Sequence, residues 1–365
     1  MLTRFDRHVL RRFLSALLLL EALLGVTFVT FDYAERVDDF LDRGATSAQV
    51  FGEYYPHYLF DIVRLTLPLA AFLAAIYVTA RLAQSLQLTA LRASGVSLGR
   101  YLRPFLVAGV LLTVGMFAFT GWAVPRAMRV VHAFQNEYYA DAPETAPTSE
   151  IVRQTAPDAI LSVGFYERDA QRAFRVSAVR LDTAGARGVV ARLDASEMTW
   201  NDTLATWTMR GVSARRFTGD AEVFQSYVTL DTTLAATPAD LAQSERDAER
   251  MTLPEKRALL DALDRAGVVD QGRARVAWHA TFAFPVSVLI LTVLGVAMAS
   301  RRRRGGQAAA LALGLAVAFV YFAAQRVLEP LGQVGDLEPV VAAWAAHAVF
   351  GVVALLALAR ARRGA

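Results

Sequence analysis

Few residues in this chain have the type and spacing that bond-making chemistry needs. With no cysteine, thiolate nucleophiles, thiolate metal sites and disulfides are excluded together. The five histidines are scattered, with no His-x-x-x-His pair, so no metal site is expected. No Gly-rich phosphate loop, Gly-x-Ser-x-Gly or His-Glu-x-x-His occurs, so any energy drawn from a nucleotide must arrive through another chain. What remains is charge set into apolar surroundings. Glu21 sits near the middle of an apolar run, where an ionised carboxylate costs about 2.5–3.5 kcal/mol. It must face protein or water, or hold a proton. It reads either as an interior hydrogen-bonded residue or as part of a proton relay or substrate gate, with no second acid at that depth to support a relay. Arg36, Arg64 and Arg326 stand at the ends of apolar runs, the last beside Gln325 and Glu329. They either snorkel and pair at the surface or bind an anionic lipid headgroup.

A different kind of signal lies in "QLTALRASGVSLGR", Gln87–Arg100, between two long apolar runs. Its centre suits one or two helical turns, with Leu88 and Leu91 on one side and Arg92 on another, and Gly95 as the stop. One reading is a turn that merely reverses the chain. The sharper reading is a docking helix whose Leu88–Leu91 ridge inserts into a groove on a partner.

The elements that position these residues follow from composition and hydropathy. The chain has 365 residues, 55% of them hydrophobic and 20% charged, with a mean hydropathy of +0.34. That is too apolar for an ordinary soluble protein and too charged for membrane spans alone. Six segments are long enough to cross a bilayer core, which takes about 20 apolar residues in a helix: Phe13–Phe31, Leu59–Ala80, Phe105–Val124, Ala277–Ala299, Ala308–Leu328 and Val340–Ala359. The first is too long in its apolar core, and lacks the following small-residue site, to be a secretory signal. Arginines cluster before the first span, between the second and third, at Arg301–Arg304, and after the sixth. Retention of positive charge on the inside then makes both termini and the Gln87–Arg100 segment cytoplasmic. Arg301–Arg304 are read as topology anchors rather than as a nucleic-acid patch, although the formal net charge is +4.

The region between the third and fourth spans falls on the far side. Segments such as "AILSVGFYE", "RAFRVSAVRL", "ARLDASEMTW", "TLATWTMRGVSARRF" and "EVFQSYVTL" are rich in β-branched and aromatic residues. Turn-formers such as Asn201-Asp202 and Gly219-Asp220 separate them, which predicts an all-β domain. "TLPEKRALLDALDRAG" follows, with Thr252 as a cap, Pro254 in the first turn and Gly267 as a stop, and reads as an amphipathic helix. The expected organisation is a first transmembrane half over 1–124, with its cytoplasmic segment about 81–103, a β domain over 125–250, a connecting helix over 251–276, and a second transmembrane half over 277–365.

"LQLTALRASGVSLGRYLRP" resembles the cytoplasmic coupling segment of the LptF/LptG permeases, the YjgP/YjgQ family of lipopolysaccharide export. The order of parts matches too, and "YYPHYLFDIVRLTLPLAAFLAA", "ARLDASEMTWNDTLATWTMRG", "WHATFAFPVSVLIL" and "LGQVGDLEPVVAAW" extend the likeness over essentially the whole chain. The resemblance implies a non-catalytic permease subunit of an ABC transporter: a six-helix membrane protein, three plus three, with an inserted periplasmic all-β jellyroll-like domain, in the bacterial inner membrane. It implies a paralogous LptF- or LptG-like chain alongside, an LptB-like ATPase dimer that binds ATP and magnesium, and an LptC-like protein that receives the lipopolysaccharide. It further implies that Gln87, Leu88, Thr89, Leu91, Arg92, Ala93, Ser94 and Gly95 couple to the ATPase, and that the first and fifth spans form a lateral gate. Two positions depart from the family pattern: Gln87, where Glu is common, and Ala280-Thr281, where a basic residue is common. Shelter and an engine are both physically required, because moving one acyl chain of a dozen carbons into water costs about 10 kcal/mol at ~0.8 kcal/mol per methylene. An ion-coupled carrier and a membrane-anchored envelope scaffold or receptor are the alternatives. A carrier would need paired midplane acids or interrupted helices, where this chain has Glu21.

Overall fold

A computed structural model describes residues 3–138, 148–156, 158–167, 170–182, 188–202, 204, 206–218, 221–234, 236–238, 241, 251–265, 271–300 and 305–363. The chain divides into two compact units: Met1–Phe134 with Glu249–Pro254 and Gly272–Ala365, and Gln135–Ala248 with Glu255–Gln271.

The first unit is helical. Among the described residues, six helices are long and apolar enough to cross a membrane: Arg4–Asp42, Ser47–Gln84, Leu98–Gln135, Gly272–Ala299, Gly306–Gln333 and Pro339–Arg362, here called the first to sixth spans. The first opens with a capping box, in which Thr3 N donates to Asp6 Oδ2 at 2.8 Å and Asp6 N to Thr3 Oγ1 at 3.3 Å. It then runs for 39 residues, about 58 Å at 1.5 Å per residue, well beyond the ~30 Å of a hydrocarbon core. The helix therefore does not stop where the apolar run ends at Phe31, but carries "DYAERVDDFLD" onward in the same rod. The second and third spans each contain a π-helical turn, Val50–Tyr54 and Phe119–Ala123, the kind of irregularity that gathers at functional sites.

The fourth span lies at the centre, with 67% of its apolar window buried, against 17% for the first span and 22% for the fifth. Small residues let helices approach closely where no hydrophobic force drives them together. Ala70, Ala71, Ala74 and Ala75 of the second span are fully buried, and a Cβ added to Gly295 of the fourth span would lie 2.9 Å from the carbonyl oxygen of Phe72. Because backbone cannot retreat as a side-chain end can, Gly295→Val is expected to lower the stability of the helical unit by about 1–3 kcal/mol. Thermal unfolding in detergent checks this, and a midpoint equal to wild type would show that the contact relaxes freely.

The second unit holds a six-stranded antiparallel sheet with strand order β1-β2-β3-β4-β5-β6: β1 Thr148–Ala156, β2 Ala159–Glu167, β3 Arg172–Leu181, β4 Val189–Asn201, β5 Thr206–Thr218 and β6 Ala221–Thr232. The inserted β domain is thus present, and among the described strands every chain neighbour is a sheet neighbour. Leu161, Val163, Val176, Met198, Trp207 and Met209 are buried in its core. Trp207 Nε1 donates to the carbonyl of Ala236 at 2.7 Å, and Trp200 packs edge-on against it with centroids 5.1 Å apart. The Asn201-Asp202 turn forms as its chemistry suggests, with Asn201 Oδ1 accepting from Leu204 N and Asp202 Oδ1 from Trp200 Nε1. β6 forms an open edge with Val223, Phe224, Tyr227 and Val228 exposed. An α-helix covers Leu253–Arg265. Gly219-Asp220, Gly267 and Arg301–Arg304 lie outside the described residues.

Candidate functional site: the short helix between the second and third spans

The second span ends at Gln84, where Ser85 Oγ donates back to the carbonyl of Arg81 at 3.0 Å. Leu86 follows with φ +59°, a left-handed conformation that costs a non-glycine residue about 1–2 kcal/mol. Starting from that reversal, Gln87–Ala93 forms a helix of seven residues. It ends as a helix with a left-handed cap does: Gly95 takes φ +85°, and Gly95 N and Val96 N donate to the carbonyls of Arg92 and Leu91 at 2.9 and 3.0 Å. Ser97 then caps the third span, accepting from Arg100 N at 3.3 Å. Two left-handed residues thus bracket a two-turn helix and fix its direction to both neighbouring spans.

The face it presents differs from the ridge expected from sequence. Leu88 is 2% exposed and belongs to the bundle's own core with Leu82, Leu98, Tyr101 and Leu102. It anchors the helix instead of reaching for a partner, because the left-handed turn at Leu86 rotates it inward. Leu91 and Arg92 are half-buried, and Arg92 Nε and Nη2 make no hydrogen bond among the described residues. The outward face is made by Gln87, Thr89, Ala90, Ala93, Ser94 and Gly95, with Leu86, 52% exposed, as its apolar element. Sequence spacing had not singled out Leu86 or Ala90. The result is a short helix whose outward face is made of small residues with one projecting leucine, held at its root by a buried one.

Residues 7–360 match the family described as lipopolysaccharide export system permease LptF/LptG. The chain belongs to the LptF/LptG family. It is accordingly a multi-pass inner-membrane permease of the lipopolysaccharide export system. Among curated proteins, none matches.

The polar residues of this LptF/LptG permease fall into separate places. Glu21 Oε1 accepts from Thr66 Oγ1 at 2.6 Å, joining the first and second spans, while Oε2 is buried without a hydrogen-bond partner among the described residues. Thr66→Val removes the donor and leaves the carboxyl group stranded, with an expected loss of about 1–3 kcal/mol. Urea or thermal unfolding of the purified permease reads it, and no change would mean that Glu21 is solvated by another route.

Arg36 is not a free cation. Its Nε lies 3.2 Å from Asp32 Oδ1 and its Nη1 donates to the Tyr54 hydroxyl at 3.0 Å. Asp32, 7% exposed, also accepts from the hydroxyls of Tyr54 and Tyr55 at 3.3 Å each. Aromatic rings close round this knot, Phe40 against Tyr54 and Phe134 with centroids 5.1 and 5.5 Å apart. Arg64 is likewise paired, its Nε donating to Asp61 Oδ1 at 2.7 Å with the guanidinium over the Phe284 ring. Arg326 is exposed and shows no ion pair among the described residues, and the Gln325 amide beside it donates to Glu329 at 2.9 Å. Of the three arginines expected to meet a lipid headgroup, Arg36 and Arg64 are thus already engaged within the chain, and Arg326 is exposed.

Proposed function

We propose that this permease is driven through the Gln87–Gly95 helix by an LptB-like ATPase dimer, and that it works side by side with a paralogous LptF- or LptG-like chain. ATP and magnesium belong to that ATPase, and this chain supplies no catalytic group. The observation that carries the reading is the helix itself: a solvent-facing surface of small residues joined through buried Leu88 to the core of the spans. A push on its outer face is transmitted to the second and third spans because the left-handed turn at Leu86 joins it directly to the one and the hydrogen-bonded Gly95 end to the other.

The arginine-rich ends of the spans support a cytoplasmic location for both termini and this helix, and a periplasmic one for the β domain. The first and fifth spans are the least buried, with Leu18, Leu19, Phe31 and Phe319 each more than two-thirds exposed. Such faces suit acyl chains or a neighbouring permease, and support a lateral entrance for lipopolysaccharide from the outer leaflet. The open β6 edge supports onward transfer to an LptC-like β domain by strand addition.

Copurification with a P-loop ATPase, and stimulation of its turnover by purified lipopolysaccharide, test the reading; a permease that binds no ATPase would be without an engine. Sidedness is tested in spheroplasts with an impermeant maleimide on Ser94→Cys and Val228→Cys, in a chain with no cysteine of its own. Labelling at 228 and none at 94 is expected, and the reverse pattern would overturn the topology.

A further inference from the structure

Within the second half of the bundle lies a polar row that neither the coupling helix nor the lipid entrance uses. Tyr321, Gln325 and Glu329 recur every fourth residue of the fifth span, so they share one helix face over about 12 Å. Tyr321 is 0% exposed and Gln325 9%. From the sixth span, His347, 2% exposed, stands edge-to-face against the Tyr321 ring with centroids 5.8 Å apart. From the fourth span, fully buried Ser287 gives its hydroxyl proton to the carbonyl of Phe284, and its oxygen neighbours the Tyr321 hydroxyl.

These groups satisfy one another only in part. Among the described residues, the Tyr321 hydroxyl, the Gln325 carbonyl oxygen and both ring nitrogens of His347 are buried without a well-aligned hydrogen bond; Ser287 beside Tyr321 and the carbonyl of Ala343, one turn before the histidine, offer only poorly aligned polar contacts. A buried polar group left short of hydrogen bonds is costly, and several side by side would weigh heavily against a marginally stable fold. Buried polar groups are therefore almost always paired, with ordered water where protein does not reach. The set is mixed in character. Tyrosine and one imidazole nitrogen donate, while the glutamine oxygen, the serine oxygen and the other nitrogen accept. A cation would leave the donors unmet and an anion the acceptors, whereas water satisfies both. No cluster of three or more metal-ligating side chains occurs among the described residues.

We propose that Ser287, Tyr321, Gln325 and His347 enclose a chain of ordered water molecules, which runs from half-buried Glu329 into the middle of the bundle between the fourth, fifth and sixth spans. Such a hydrated seam also gives the fifth span polar contacts it can exchange with water when it shifts, where a dry interface would have to break them outright.

Radiolytic hydroxyl-radical footprinting of the intact permease tests this, because radicals formed from bound water oxidise the side chains that touch it. Tyr101 is the internal control: it is 1% exposed, and its hydroxyl donates to Thr79 Oγ1 at 3.1 Å, so it is equally buried but satisfied by protein. Tyr321 and His347 are expected to label several-fold faster than Tyr101. Labelling no faster than Tyr101 would overturn the proposal. In Tyr321→Phe, which keeps the ring and removes the hydroxyl, His347 labelling is expected to fall; unchanged labelling would show that the two residues share no water. Neither measurement needs ATPase or lipid, so failure here leaves the coupling helix untouched.

Discussion

Replacing Ala90 by Glu is expected to abolish copurification with the partner ATPase while leaving the permease folded. Ala90 is exposed in the middle of the outward face of the helix, and Glu is nearly as good a helix former as Ala. A surface change of this kind moves stability by within about 0.5 kcal/mol. At a docked interface the same carboxylate would be desolvated without a partner, at a cost of several kcal/mol, and every ~1.4 kcal/mol is tenfold in affinity. A loss of about a hundredfold or more in association is therefore expected, with an unaltered unfolding midpoint. Leu88→Ala separates the two roles: it should lower stability by about 2–5 kcal/mol, since Leu88 is in the core. If the Ala90→Glu permease bound the ATPase as wild type does, the outward face of this helix would not be the contact, whatever else drives transport.

The second large effect is expected at Asp32. Arg36, Tyr54 and Tyr55 converge on its carboxylate, with Tyr58 close by. Asp32→Ala removes the acceptor and leaves a half-buried guanidinium beside two buried aromatic residues. The expected cost is about 3 kcal/mol, at the lower end for breaking a buried ion pair because Arg36 keeps some solvent contact. Asp32→Asn retains an acceptor for the tyrosines and should cost less. Thermal unfolding in detergent ranks the variants, and faster amide exchange is expected over Tyr33–Asp42, the part of the first span that extends beyond its apolar run. If Asp32→Ala unfolded with wild type, the knot would be decorative and the overlong helix would be held by its aromatic contacts.

The two sites were unequally legible in the sequence. The six spans were visible because about 20 apolar residues in a row have few other fates than a membrane helix. Most strands of the β domain were visible for an equally local reason, in runs of β-branched and aromatic residues between turn-formers; β2 and β3 coincide with "AILSVGFYE" and "RAFRVSAVRL". β1 was missed because "TSEIVRQTA" is mostly polar, and an edge strand needs fewer apolar contacts. The short helix at Gln87–Ala93 was also local, marked by leucine spacing and a stopping glycine. Its orientation was not. Whether Leu88 points in or out depends on Leu86 adopting a left-handed conformation, which no propensity favours and which the packing of Leu88 against Leu82 and Leu98 must hold in place.

Pairing of charges was the least legible feature of all. Arg36 and Asp32 are one helical turn apart, so their contact could be inferred, but Tyr54 and Tyr55 reach the same carboxylate only across the turn between two spans, next to a π-helical turn. Glu21 and Thr66, forty-five positions apart, meet for the same non-local reason, as do Ser287, Tyr321 and His347 from three different spans. By itself, then, the order of amino acids determined the membrane spans, the inserted β domain and the family, because hydropathy, turn chemistry and local motifs act within a few residues. Only the tertiary structure decided which leucine faces outward, which arginines are already engaged and which buried polar groups are left short of hydrogen bonds, because those outcomes depend on how separate helices pack.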